Sequence, residues 1–212
     1  MSADHTSNPA NRLASLAALV AMAAGAMVLL GWAFDIALLK SILPGWVSMK
    51  ANTAACFILI GSALWLTARL PATIDAQRAS RFSRIAQAFG GLAGLIGLLT
   101  LCEYVFDWNP GLDQWLFVEP AGTVGTSNPG RMTRETAVCF VALAVALMLA
   151  GASSKTRLSI TLSTSISLLV AVLSLAVITG YATPALGAFW WFGWASMALH
   201  TALLFALLGA SV

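Results

Sequence analysis

Three stretches decide the fold: SMKANTAACF, Ser48 to Phe57; RMTRETAVCF, Arg131 to Phe140; and SMALHTALLF, Ser196 to Phe205. They share the pattern M-x-x-[N/E/H]-T-A-x-x-F, and a glycine precedes each: Gly45, Gly130 and Gly193. A second block recurs upstream in the same order. It reads GWAFD (Gly31 to Asp35), EYVFD (Glu103 to Asp107) and GYATP (Gly180 to Pro184). Two blocks repeating in one order mark an internal repeat. The unit is a helix, a connecting loop and a returning helix, present three times.

The rest of the chain says what these helices are dissolved in. The 212 residues are 59% hydrophobic and only 9% charged. Soluble domains carry about 25% charge. So few charges cannot cover a water-facing surface, and lipid is the expected solvent. Charges divide the sequence into apolar lengths of 22 residues between Arg12 and Asp35, 18 between Lys50 and Arg69, 18 between Arg84 and Glu103, and 19 between Glu135 and Lys155. After Arg157 the last 55 residues carry no charge and break at Gly180–Ser196 into two spans. About 20 apolar residues cross a bilayer as a helix. Helices are the expected spans, because each must satisfy its own backbone polar groups in lipid.

The expected fold is therefore an all-α integral membrane protein. Six transmembrane helices form three parallel helical-hairpin repeats, over about 13–68, 85–151 and 158–212. A tail at 1–12 precedes this single domain at 13–212. Parallel repeats of this kind pack around an axis along the membrane normal. One set of flanks holds Arg12, Arg69, Arg78, Arg81, Arg84, Lys155 and Arg157; the other holds Lys40, Lys50, Arg131 and Arg134. Seven against four places the first set, and both termini, in the cytoplasm. Most acidic residues and seven of the eight tryptophans fall on the outer side. The basic residues orient helices, so nucleic acid is not an expected partner; the lipid bilayer is.

The repeat position holding Asn52, Glu135 and His200 carries the site expectation. Capping by Ser48, Arg131–Thr133 and Ser196 would place it about 6 Å inside the helix start at 1.5 Å per residue. Intramembrane ionisable groups default to functional candidates. Glu103 stands where the other copies have Gly31 and Gly180, glycines that would leave room for a carboxylate or ligand. Arg131 and Arg134 are its nearby cations. Two readings stay open for Asn52, Glu103, Arg131, Glu135 and His200. They form a closed network fixing helix register, or a site for a small-molecule or lipid-like ligand at the outer face. Cys56, Cys139 and His200 are weak metal candidates, since no pair has a recognised ligand spacing and buried cysteine is usually a small hydrophobe. No cofactor is implied. Catalysis has no supporting nucleophile–base–oxyanion arrangement. Short helices are expected at Ile36–Leu43 and Gly111–Phe117, and Arg69–Arg84 reads as a basic connector. A small transporter or channel is the alternative function, but spans without breaks or central acids disfavour it.

The blocks PGWVSMKANTAACFILIG, LTLCEYVFDWNPGLDQWLF, PGRMTRETAVCFVALAVAL and MALHTALLFALLG resemble the N-terminal membrane region of bacterial sensor proteins. Those carry histidine kinase, PAS or diguanylate cyclase domains after the last helix. The resemblance covers about Gly31 to Val212. The layout of three outer-face methionine motifs is similar to that of MHYT sensors, but the MHYT string is absent and copper does not carry over. The resemblance implies a non-enzymatic input module in the bacterial inner membrane, with a cytoplasmic effector in cis and a homodimeric assembly. It implies no particular ligand. The sequence stops at LLFALLGASV without a basic flank, which is expected of a fragment lacking its output domain.

Overall fold

The computed structural model describes residues 8–43, 45–69, 74–124, 126, 128–151, 156–182 and 197–212. These are helical, with no strand among them. In chain order they form α1 (Pro9–Ala33), the short α2 (Ala37–Lys40), α3 (Ala51–Ala68), α4 (Ala76–Phe106), a 3₁₀ turn (Leu112–Gln114), α5 (Arg134–Ala150), α6 (Arg157–Ala182) and α7 (Leu199–Gly209). Four of them, α1, α3, α4 and α6, are long and apolar enough to cross a membrane. Helices α5 and α7 have 17 and 11 residues. Expectations resting on His5, Lys155, Pro184, Trp190, Trp191, Gly193, Trp194 and Ser196 lie outside the described residues.

The first helix of each pair packs on the second: α1 on α3, α4 on α5, α6 on α7. Neighbouring pairs meet through α3 with α4, α5 with α6, and α7 with α1, so the ring closes. Helices α3 and α5 also touch each other, as do α5 and α7. The returning helices α3, α5 and α7 thus form the inner layer, and α1, α4 and α6 the outer one. Burial agrees: 56% of the apolar window of α3 is buried, against 39% for α1 and 33% each for α4 and α6. An outer helix that keeps an apolar exposed face suits a lipid surround.

Repeated sequence becomes repeated contact. The phenylalanines that close the three motifs meet one another. Ring centroids are 5.0 Å apart for Phe57–Phe140, 4.9 Å for Phe57–Phe205 and 4.7 Å for Phe140–Phe205, and all three side chains are fully buried. Edge-on and tilted arrangements at this spacing are favourable for aromatic quadrupoles. Eight residues upstream of each ring lie Met49, Met132 and Met197, also fully buried. Each methionine carbonyl accepts a hydrogen bond from an aromatic side chain of its own pair's first helix. Trp32 Nε1 donates to Met49 at 2.9 Å, Tyr104 Oη to Met132 at 3.1 Å, and Tyr181 Oη to Met197 at 2.9 Å. These carbonyls precede the helix starts, and the bonds lock each loop's return onto the helix that launched it.

Small residues set the helix spacing. A Cβ on Gly25 would sit 2.6 Å from the Ala54 carbonyl oxygen, and one on Gly97 2.8 Å from that of Ala137. These are equivalent positions in the first two repeats. Likewise Gly61 lies against the Ala18 carbonyl and Gly209 against that of Ser167. Close backbone approach through small residues is how helices associate where no hydrophobic drive exists between them.

Several element boundaries differ from those expected. Helix α4 begins at Ala76, capped by Asp75, whose carboxylate accepts from Arg78 N. Arg78, Arg81 and Arg84 therefore lie on the helix, not in a connector; charge alone had marked the helix end, whereas backbone hydrogen bonding continues past exposed arginines. Helix α3 starts at Ala51 with Lys50 as an N-cap that makes no side-chain cap bond, so Ser48 is not its cap. Thr133 does cap α5, accepting from Thr136 N at 3.3 Å. The segment Gly111–Phe117 contributes only one 3₁₀ turn. Asp107 ends α4 at φ 48°, and Asp35, its repeat equivalent, has φ 52°. Aspartate tolerates this left-handed region better than most residues.

Candidate functional site

The loop between α4 and α5 folds back over the bundle end that holds the three methionines, and two buried ionic clasps tie it down. The first centres on Glu119, which is 3% exposed. Its Oε1 accepts from Lys50 Nζ at 2.6 Å and from Ser48 Oγ at 3.4 Å, and its Oε2 accepts from the Gly130 N–H at 2.6 Å. Lys50 also donates to Thr126 Oγ1 at 2.5 Å. Gly130 has φ 76°, and a Cβ there would strike the Asp113 carbonyl, so only glycine delivers this N–H to Glu119. Burial pulls the Lys50 ammonium below the ordinary lysine range, and the Glu119 contact opposes that shift without cancelling it.

The second clasp centres on Arg131. Its Nε donates to Asp113 Oδ2 at 2.7 Å and lies 3.4 Å from Glu103 Oε2. The guanidinium also stands 5.2 Å from the Tyr104 ring centroid, while Arg134 approaches the same ring at 4.7 Å. Glu103, near the end of α4, is 1% exposed, and neither of its carboxylate oxygens has a hydrogen bond. The Arg131 contact reaches ion-pair distance without hydrogen-bond geometry. A third, exposed pair joins Lys40 Nζ to Asp35 Oδ1 at 2.6 Å, with the ammonium 4.8 Å above the Trp32 ring. That contact holds the Asp35 carboxyl below its usual range.

Of the five expected site residues, Glu103 and Arg131 come together. Asn52, Glu135 and His200 do not join them, and no hydrogen bond or ion pair links any two of the three. Asn52 Oδ1 accepts from its neighbour Thr53 N at 2.7 Å. At about 100° per residue, Asn52 is turned about 140° from the axis-facing Phe57. Cys56, one turn on, touches the Ala93 carbonyl of α4 at 4.0 Å. The Asn52 position therefore lies off the axis, toward the side of α3 that meets α4. The axis-facing residues at this depth are Thr53, Thr136 and Thr201, each 2% exposed. Both ring nitrogens of His200 are buried and without hydrogen-bond partners. Gly31 offers no room for a ligand, because a Cβ there would meet Leu39 at 2.6 Å; the α2 segment already fills that space. Among the described residues no group of three histidine, cysteine or acidic side chains could hold a metal ion, and Cys56 and Cys139 are buried free thiols.

Sequence reasoning missed Asp113, Glu119 and Lys50 as clasp members. Asp113 and Glu119 sit in a loop outside the repeat's shared pattern, and Lys50 at a variable position of the first motif, so no alignment of copies points to them. The available signal was weaker: acids in the connecting loop and a lysine, Lys50, with no role assigned to it. Comparison with known protein families, with curated proteins and with solved structures finds no match. At the far end, a recess of about 350 Å³ opens between Asn11, Arg12, Ser15 and Leu16 of α1 and Ala68 and Arg69.

Proposed function

We propose that this chain is the input and anchoring module of a bacterial inner-membrane signalling protein. In this reading six helices cross the bilayer, both termini lie in the cytoplasm, and the clasped loop faces the periplasm. A change at that face shifts the packing of α7, which passes the signal to a cytoplasmic histidine kinase or diguanylate cyclase domain in cis. The chain itself performs no chemistry. Its partners are the bilayer, a small-molecule or lipid-like ligand at the outer face, and a second copy of the chain.

One observation carries the reading: the threefold axis is filled by Phe57, Phe140 and Phe205 beneath a layer of buried methionines. A carrier or channel needs a polar path with sites reachable from both faces. A plugged axis under an ion-paired cap fits a switch instead, because small shifts between packed helices suffice for signalling. The resemblance of the methionine blocks to sensor membrane regions, and the excess of Lys and Arg on the terminal side, support the direction assigned.

The test uses the purified chain in lipid vesicles, with spin labels at the ends of α1 and α7 that lie opposite the clasps. Clasp-opening conditions, namely Glu119→Ala or a change of external pH or salt, should change the label-to-label distance distribution. Vesicles carrying the chain should pass protons and potassium no faster than empty ones. Chain-dependent flux would overturn the reading in favour of transport. Unchanged distances under every clasp perturbation would reduce the chain to an anchor.

A further inference from the structure

Glu103 is the one carboxylate among the described residues whose two oxygens are both buried without a hydrogen bond. Its side chain is 1% exposed, and both carboxylate oxygens lack a hydrogen-bond donor. A buried polar atom in that condition is rare, and a buried ionised carboxylate without donors rarer still. Five other charged or titratable groups lie on the elements packed around it. Arg131, on the segment before α5, supplies the nearest cation. Asp113, on the 3₁₀ turn, takes the direct Arg131 Nε bond at 2.7 Å and leaves Glu103 Oε2 at 3.4 Å from the same nitrogen. Arg134, at the start of α5, stands 4.7 Å from the Tyr104 ring centroid, and Glu135 follows it on the helix. The Tyr104 hydroxyl is already committed to the Met132 carbonyl.

The local count is therefore two carboxyl groups against one directly engaged guanidinium. The Glu103 and Asp113 carboxyls approach the same Arg131 nitrogen, at 3.4 and 2.7 Å, which brings them close to each other. Two ionised carboxylates at that separation repel, and neither can donate. One proton changes both facts: the protonated oxygen becomes a donor to its neighbour, and the cluster of Glu103, Asp113 and Arg131 becomes neutral. Two independent observations converge here, the shared nitrogen and the donorless buried carboxylate aimed at it.

We propose that Glu103 and Asp113 form a buried proton-binding site that holds one proton between them beside Arg131. The ligand is a proton drawn from the water at the clasped end. The site gains an O–H···O bond on loading and leaves two facing carboxylates on emptying. The loop segment carrying Asp113 is the element such a change would move, because Gly130 presses against the Asp113 carbonyl and donates to Glu119 in the other clasp. The proposal stands whether or not the chain signals. If it does signal, pH at that face is one of its inputs.

Infrared difference spectroscopy of the wild-type chain in lipid vesicles tests this directly. At neutral pH it should show the carbonyl stretch of one protonated carboxylic acid, lost as pH is raised and regained on return. Glu103→Gln should lose the band because the pair is gone. Asp113→Asn should also lose it: the new amide donates to Glu103, and Arg131 is released to pair with it. Glu135→Gln should keep the band. Helical circular dichroism of each variant establishes that it is folded, and the wild-type titration needs no variant at all. No titrating carboxylic acid in the wild type would overturn the proposal. So would a band that survives either Glu103→Gln or Asp113→Asn, since the proton would then belong to a single residue or to another site. Loss of the band in Glu135→Gln would overturn it equally.

Discussion

Removing Glu119 is the sharpest perturbation of the clasped end. The pair it forms with Lys50 is nearly dry, with the two side chains 1% and 5% exposed. Truncation to Ala leaves an ammonium with only Thr126 as a partner and orphans the Gly130 N–H. Breaking a buried pair from one side typically costs about 3–5 kcal/mol, because an uncompensated charge remains. The chain can limit that loss by letting Lys50 reach water, but only by lifting the loop off the bundle. Glu119→Ala should therefore destabilise the chain by about 3 kcal/mol or more, and should expose the Trp108–Gly130 loop to protease. The double variant Lys50→Met with Glu119→Gln should recover most of the loss. Methionine removes the buried charge, and the glutamine oxygen still accepts the Gly130 N–H. The depressed Lys50 titration points the same way, since burial outweighs the pair's attraction. The folded chain releases the Lys50 proton at lower pH than the unfolded chain does. Between those two values the unfolded state binds more protons, so stability rises with pH toward the ordinary lysine value of 10.5. Lys50→Met should abolish that rise. Reversible unfolding in mixed micelles, followed by circular dichroism and limited proteolysis, measures all of this. A Glu119→Ala cost below about 1 kcal/mol with the loop still protected would refute the reasoning, because that is the size expected of an exposed ion pair.

Three further outcomes are expected. Tyr104→Phe and Tyr181→Phe each delete one equivalent bond to a methionine carbonyl. Each should cost about 1 kcal/mol, with near-additive losses in the double variant because the bonds belong to different pairs; thermal melts of the three variants check it. Gly25→Ala should destabilise by about 1–3 kcal/mol, since its Cβ meets a backbone oxygen at 2.6 Å. Gly90→Ala, whose Cβ finds nothing nearer than 3.9 Å, should be neutral or stabilising by up to about 1 kcal/mol in the same melts. Lys40→Met should return the Asp35 carboxyl to its usual range, read by carbon NMR titration. The sign follows from the shift: the Lys40 contact favours ionised Asp35, so its contribution is present above the unfolded value and fades as pH falls through the lowered one.

Some of this was legible before any coordinates. The composition called for apolar helices, because in lipid a lone span must pair its own backbone polar groups and these spans lack the alternation of a barrel strand. The repeated methionine, threonine, alanine and phenylalanine positions marked the inner helices, because a residue that must meet its own symmetry copies is constrained in every copy. Repeat alignment singled out Glu103 and Arg131, which lie 3.4 Å apart in the fold. Other features were not legible, for identifiable reasons. Asn52, Glu135 and His200 share a repeat position, but sharing a depth does not make side chains bond, and no hydrogen bond or ion pair joins any two of them. Gly31 looked like open space, but Leu39 fills it from a segment eight residues away.

What the linear chain determined by itself was helix content, apolar spans and the repeat, all properties of residue type at fixed spacing. What only the folded molecule decided was pairing. Lys50 meets Glu119 across 69 residues, and Asp113 meets Arg131 across 18. Those partners are set by where one unrepeated loop lands on a threefold bundle. A contact between a repeated element and an unrepeated one leaves no pattern along the sequence from which it can be read.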